Sequence, residues 1–213
     1  AGMLVQAVSW GPVSRKRFEP SEALERAMDV FWARGYEGTS AQDLVDAMGI
    51  NRGSLYATFG SKRELYLRAL ERYLERDRGI LADALAGDRP VRESLGRLLR
   101  GYADQLVADP LRRGCFLVNA CAELTPGDPE LSGRISEEIA AQQALLEDAL
   151  RAARARGELA PDRDPAALAA YLVGLVQGLR VVGKATGDRD RLERIIELGL
   201  EGLGPAPGAA AGR

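Results

Sequence analysis

The sequence predicts an all-α protein: an N-terminal three-helix unit built on a helix-turn-helix, followed by a larger helical body. Three observations carry this prediction. Apolar residues recur at three- and four-residue spacing from Pro20 to Leu203. Glycine or proline punctuates the ends of these stretches, at Gly35, Gly49, Asp109-Pro110, Gly157 and Gly187. Residues that cap helix starts stand where new stretches begin, notably Thr39, Asn51, Ser61 and Asp164.

The first helix runs from Pro20, a favoured first-turn residue, to Arg34, with Leu24, Ala27, Met28, Phe31 and Trp32 as its apolar stripe. Thr39 with Gln42 three residues on reads as a capping box that opens the second helix. Leu44, Val45 and Met48 give that helix a buried face, and Gly49 ends it. Ile50 plugs the turn, and Asn51 caps a third helix from about Arg52 to Phe59. On the third helix Leu55 and Phe59 share the inward face. Gly53, Ser54 and Ala57 point outward, with Arg52 and Tyr56 on the flanks. Such a small, polar outer face can enter a DNA major groove, where the first residues of the helix read base edges. The plainer alternative is an ordinary helical hairpin in a bundle.

Ser61-Lys62-Arg63-Glu64 is a second capping box and opens a long helix to about Ala86, with Leu65, Leu67, Leu70, Tyr73 and Leu74 spaced to pack on two bodies. Gly87-Asp88-Arg89-Pro90 breaks the chain, and Val91 to Ala108 is helical. The stretch from Arg113 to Leu124 is apolar on nearly every side, so it is expected to be buried all round. Within it, Asn119 and Glu123 lie one turn apart. Either Asn119 bonds a neighbouring backbone in the core, or both residues line a ligand cavity. Glu130 to Arg156 is a long amphipathic helix with Ile135, Ile139, Leu145, Leu146 and Leu150 inward and a solvated basic end. The last two helices, near 165–184 and 188–203, carry more apolar surface than one core uses. They are therefore expected to pair with a second subunit in a four-helix arrangement.

The run Phe31-Trp32-Ala33-Arg34-Gly35-Tyr36-Glu37-Gly38-Thr39-Ser40, followed by Gly49-Ile50-Asn51-Arg52-Gly53-Ser54-Leu55-Tyr56-Ala57-Thr58-Phe59-Gly60-Ser61-Lys62, resembles the N-terminal domain of TetR-family transcriptional repressors. The match covers about 45 residues; the remainder fits the family in length, helicity and layout. The resemblance implies that Thr39 or Ser40, Tyr56, Thr58 and Lys62 touch phosphates, and that Gln42, Arg52, Gly53, Ser54 and Ala57 face bases. Thr58 stands where many relatives carry histidine, so that phosphate contact is shorter. The Gly114-Cys115-Phe116-Leu117-Val118-Asn119 segment is similar to one beside the effector pocket in a branch of the family. The resemblance also implies a homodimer. The organisation expected is a flexible segment over 1–14, a DNA-binding domain over 15–62, an effector-binding and dimerisation domain over 63–204, and a disordered Pro/Gly/Ala tail over 205–213.

Composition bounds the chemistry. Hydrophobic residues at 46% and charged residues at 28% are ordinary for a soluble globular chain. No apolar run looks long enough to span a membrane, and no secretory signal is evident. Two cysteines without a disulfide framework fit a reducing cytoplasm. The absence of histidine excludes a histidine base, a Cys-His or Ser-His pair and any imidazole metal site. No glycine-rich phosphate loop appears, so neither a metal nor a phosphorylated cofactor is expected. The net charge is −2, and residues 1–64 carry eight basic against eight acidic side chains. DNA binding must therefore rest on placement, with Arg15-Lys16-Arg17, Arg52 and Lys62-Arg63 set toward the duplex.

The expected function is a ligand-responsive repressor that binds a palindromic double-stranded operator as a dimer and is released by a small, lipophilic effector. Tyr102, Leu106, Phe116, Leu117, Asn119, Ala120, Tyr171 and Leu175 are the candidate effector-binding residues, few of them polar. A second reading makes Cys115 a redox- or electrophile-sensing thiol, since it follows Arg112 and Arg113 at a predicted helix start. Cys121 lies about 240° round a helix from it, which is poor geometry for a disulfide. A cysteine enzyme is the third reading, without an evident activating base.

Overall fold

The computed structural model describes residues 18–124 and 127–204. The expectations for residues 1–14, for Arg15-Lys16-Arg17 and for the tail over 205–213 lie outside the described residues. Among the described residues the regular structure is nine helices: α1 (Pro20–Arg34), α2 (Ala41–Met48), α3 (Arg52–Phe59), α4 (Lys62–Leu85), α5 (Val91–Ala108), α6 (Phe116–Leu124), α7 (Pro129–Ala155), α8 (Pro165–Thr186) and α9 (Arg189–Glu201).

The turn between α1 and α2 differs from its predicted chemistry. Ser40, not Thr39, caps α2: its hydroxyl accepts the N–H of Asp43, and the Asp43 carboxylate accepts the Ser40 N–H at 2.8 Å. Thr39 is buried, and its hydroxyl donates to the Gly35 carbonyl at 2.6 Å, closing the turn. The capping register shifts by one residue because the threonine hydroxyl is already committed. Gln42 reaches along its own helix and donates to Asp46 at 2.8 Å. Gly49 ends α2 in the left-handed conformation, Asn51 accepts the Ser54 N–H at 2.8 Å to start α3, and Ser61 accepts the Glu64 N–H to start α4.

Two cores meet on α4. The first joins α1 to α4 with α6 and the beginning of α7; its centre is a chain of edge-on aromatic rings. Tyr66 packs against Phe31 at 5.1 Å, Tyr36 at 5.1 Å and Phe116 at 5.4 Å, and Tyr73 links Phe116 to Trp32. The second core gathers Leu81 of α4 with α5, α7, α8 and α9, around Leu95, Leu99, Leu150, Leu172 and Ile196. The long helix thus serves both bodies, as its spacing predicts.

Two expectations for the C-terminal body need correction. α6 is not buried all round: Phe116, Leu117 and Ala120 face inward, whereas Cys121, Ala122 and Glu123 are exposed. This nine-residue helix packs against α4, α7 and α8 and leaves part of its girth at the surface. Composition cannot reveal how many sides a helix has covered. α8 is long and apolar enough to cross a membrane by length and composition, although Gly174, Gln177 and Gly178 interrupt any strict apolar run. In this fold it packs on α5, α7 and α9.

The α2 cap makes a pH prediction. Hydrogen bonds from the Ser40 hydroxyl and backbone N–H, with the Arg34 guanidinium adding to them, hold the Asp43 carboxyl down at about 2. An unfolded aspartate titrates near about 3.9, so the unfolded chain takes up this proton first as pH falls. The cap is therefore fully present above about pH 4 and is lost as pH falls through about 2. Amide exchange in α2 should rise across that window, and an Asp43→Asn variant should lack this dependence.

Candidate nucleic-acid interface

α3 presents the face that its sequence requires. Leu55 and Phe59 are buried against the rest of the three-helix unit, at 0% and 2% exposure. Arg52, Gly53, Tyr56 and Ala57 are exposed, and Ser54 and Thr58 are half-exposed. The Asn51 side chain is spent on the cap, so Arg52, Gly53 and Ser54 form the leading edge. Gln42 is exposed on α2, Ser40 lies at the α2 start with its hydroxyl engaged in the cap, and Lys62 opens α4 with its ammonium 4.2 Å over the Tyr36 ring. Nine of the ten residues named for DNA contact thus reach the surface. Thr39 does not, because its side chain is buried in the turn.

The basic residues divide differently from the sequence expectation. Arg63, paired there with Lys62 as a duplex-facing cation, turns to the start of α7 and bridges Asp128 at 2.9 Å and Glu130 at 2.6 Å. Arg34 is held by Asp43. Arg52 and Lys62 make no ion pair among the described residues.

A contact absent from the sequence reading ties this unit to the larger body. The Glu123 carboxylate, at the end of α6, accepts the backbone N–H groups of Tyr36 at 2.9 Å and Glu37 at 2.8 Å. Gly35 permits it twice over. Its φ is +76°, and a Cβ there would stand 2.6 Å from the same carboxylate. Of the two readings offered for Asn119, the backbone-bonded one holds: its amide donates to the Arg113 carbonyl at 2.9 Å and accepts from Lys184 at 2.7 Å. Glu123 grips the α1–α2 turn and borders a small cleft of about 320 Å³ there, apart from the cleft that holds Tyr102.

Comparison with known proteins decides the family. Residues 23–69 match the model of bacterial regulatory proteins of the tetR family, and residues 92–198 match that of the tetracyclin repressor-like C-terminal domain. The chain is 38% identical to the transcriptional regulator YezE of Bacillus subtilis, over 88% of its own length and 97% of that protein's. It belongs to the TetR family. The transcriptional repressor ComR of Escherichia coli is 31% identical over 84% of this chain and 86% of its own. Among solved structures, a cysteine mutant of the TetR-family regulator CifR, in complex with a 26-base-pair double-strand operator DNA, superposes with a TM-score of 0.79 at 37% identity. That match covers 88% of this chain and 98% of the other.

The TetR-family body does not gather the eight candidate effector residues around one cavity. Tyr102 and Leu106 line a cleft of about 610 Å³ between α1, α4, α5 and the α5–α6 connection. Phe116, Leu117 and Ala120 belong to the core beneath the reading head. Tyr171 is exposed on α8 with its hydroxyl toward the Gly199 carbonyl, and Leu175 lies against Gly199 of α9. The cleft is also more polar than expected. At its floor Arg180, 4% exposed, donates to Asp77 at 2.5 Å and to the Cys115 sulfur at 3.1 Å, with its guanidinium 4.5 Å from the Tyr102 ring. Tyr102 also bonds Asp77, and Tyr73 bonds Cys115; burial pushes both tyrosine hydroxyls up, so both remain protonated donors. The sequence carried a signal for this cluster. Asp77 falls on the apolar stripe of α4, one turn beyond Tyr73 and before Leu81, and Arg180 interrupts the apolar run of α8.

The Glu123 contact is directly measurable. Glu123→Ala should release the Tyr36 and Glu37 amides, raising their hydrogen exchange by on the order of tenfold, the worth of a hydrogen bond to a charged group. The overall helical signal should stay unchanged.

Proposed function

We propose that this TetR-family protein is a transcriptional repressor that binds a palindromic operator as a two-fold dimer and releases it when a small effector occupies the larger body. The observation that carries the reading is the outer face of α3, small and polar between Arg52 and Thr58, above a rigidly packed inner face. Arg52, Gly53, Ser54 and Ala57 read bases, joined by Gln42 from α2. Tyr56, Thr58, Lys62 and the start of α2 at Ser40 fix the backbone. The operator bound by CifR supports the same mode here. As a DNA-binding regulator, the protein acts in the cytoplasm.

The dimer surface is the outer side of α8 and α9. Tyr171, Val181 and Leu198 are exposed there, at 43%, 51% and 68%. Gly174 and Gly178 leave open space where a Cβ would stand, which permits close approach of a partner helix. Val176, by contrast, faces inward beside Leu98 and Leu172.

A second reading keeps Cys115 as the sensor: the thiol is buried with the Arg180 guanidinium at its sulfur, so an electrophile or oxidant reaches it only through an opening of the cleft floor. In that case a thiol reagent, not a reversible ligand, releases the operator.

Selection of bound duplexes from a random pool tests the main reading and yields the site. Against that site, Tyr56→Ala and Lys62→Ala should weaken binding to every sequence, with Lys62→Ala lowering the salt slope by about one. Arg52→Ala and Ser54→Ala should change base preference, each by about 1–3 kcal/mol of discrimination. Binding equal to the parent at positions 56 and 62 would refute the face assignment.

Assembly has its own test. Leu198→Asp or Val181→Asp should convert dimer to monomer in light scattering, because each buries an unpaired charge costing several kcal/mol at the interface. A parent protein that is already monomeric defeats both the interface and the palindrome.

A further inference from the structure

The cleft that holds Tyr102 lies on the joint between the reading head and the larger body. One wall is α1, through Asp29 and Trp32; the others are α4, α5 and the connection into α6. Its volume of about 610 Å³ suits a small organic molecule. A larger groove of about 770 Å³ lies at the far end, between Val91 and Leu203, and touches nothing of the DNA-reading unit.

The charges lining the cleft do not balance in pairs. Three arginines and three aspartates face it. Arg113 holds Asp29 at 2.8 Å and Asp109 at 3.1 Å, and Arg180 holds Asp77. Arg76 makes no ion pair among the described residues. Its guanidinium is steered instead by aromatic faces, 5.6 Å from the Tyr73 ring and 6.0 Å from the Trp32 ring. Arg76 thus offers its donors to the cleft with no anion assigned to them. Beside it the lining is apolar: Ile80, partly exposed at 37%, the Leu106 side chain and the Tyr102 ring.

We propose that this cleft binds an organic monoanion with an apolar body, a carboxylate of arylacetic type, with the carboxylate on Arg76 and the body against Ile80, Tyr102 and Leu106. A planar guanidinium is built to take a carboxylate through two parallel hydrogen bonds. The carboxylates of Asp29 and Asp109 border the same space, so a second negative charge on the ligand meets repulsion. A neutral or cationic compound leaves Arg76 without its counter-ion. The location gives the binding a consequence, which rests on the ligand-responsive reading above. A molecule here touches α1 itself and competes with the Arg113–Asp29 pair that joins α1 to the effector body. It therefore acts on the reading head directly, and not only through α4.

Trp32 reports the event, since it lines the cleft and its ring is 4.2 Å from the Arg113 guanidinium. In a Trp10→Phe background it is the one remaining tryptophan. Titration with phenylacetate should change its emission saturably, and phenylacetamide and phenethylamine should bind at least about tenfold more weakly. Arg76→Gln should weaken phenylacetate by roughly ten- to a hundredfold while leaving phenylacetamide unchanged. The melting temperature of that variant without ligand should match the parent, which separates lost binding from lost fold. Equal binding of acid and amide, or an Arg76→Gln variant that binds the acid like the parent, overturns the assignment. Release of the operator by other lipophilic compounds without any Trp32 response also removes the cleft, yet leaves the regulatory reading standing. Arg76-dependent phenylacetate binding that leaves operator affinity unchanged does the converse: the site stands, and its link to release fails.

Discussion

Tyr66 holds the two halves of this protein together. It sits on the first third of α4, and its ring meets Phe31 and Tyr36 on one side and Phe116 on the other, each edge-on. Phe31 belongs to the reading head and Phe116 to the first turn of α6, so one buried ring is shared by both bodies. Such pairs contribute about 0.5–1.5 kcal/mol each beyond their buried area. Their geometry constrains more than their energy. A ring packed edge-on against three others cannot slide without losing several contacts together, which ties α1, α4 and α6 to one another. The Glu123 grip on the Tyr36 and Glu37 amides adds a polar tie to the same joint.

That rigidity explains how a chain of net charge −2 serves as a DNA-binding protein. Much of its basic charge near the reading head is spent on internal structure. Arg63 secures the start of α7, Arg34 secures the cap of α2, and Arg113 spans α1 and the approach to α6. What remains for a duplex among the described residues is a small set, led by Arg52 and Lys62. Few phosphate contacts mean modest non-specific affinity. In the proposed binding mode selectivity then depends on close fit of α3 in a groove, and close fit needs a stiff support.

The Asp77–Arg180 pair is the second constraint. Two charges at the floor of the cleft are costly to desolvate, and removing either partner typically costs about 3–5 kcal/mol. Tyr102, Tyr73 and Cys115 satisfy the polar atoms around the pair, which makes the cluster tolerable and fixes α4 against α8. The cleft above it opens between α1 of the three-helix unit and α4 and α5 of the larger body. Polar chemistry, domain joint and open volume coincide at one place in the molecule.

By itself the sequence determined the helices and the reading head. Apolar spacing, glycine stops and capping residues act within a few residues of one another, so α1 to α5 and α7 to α9 are legible at nearly their observed bounds. The outward set on α3 follows from helical periodicity once Leu55 and Phe59 are recognised as its inner face. Tertiary structure alone decided the rest. Thr39 turned inward because Gly35 offered its carbonyl, and Ser40 became the cap. Arg63 left the duplex side because Asp128 and Glu130 come within reach only after α7 docks. For Asn119 and Glu123 the sequence left a core role and a cavity role both open; one bonds Lys184 and the other the α1–α2 turn, more than sixty positions away along the chain. The candidate effector residues scattered for the same reason: side chains that share helical spacing share a face, but only packing decides what that face meets. Local patterns fix local geometry, and the partners of a buried charge or a ring are chosen by the fold as a whole.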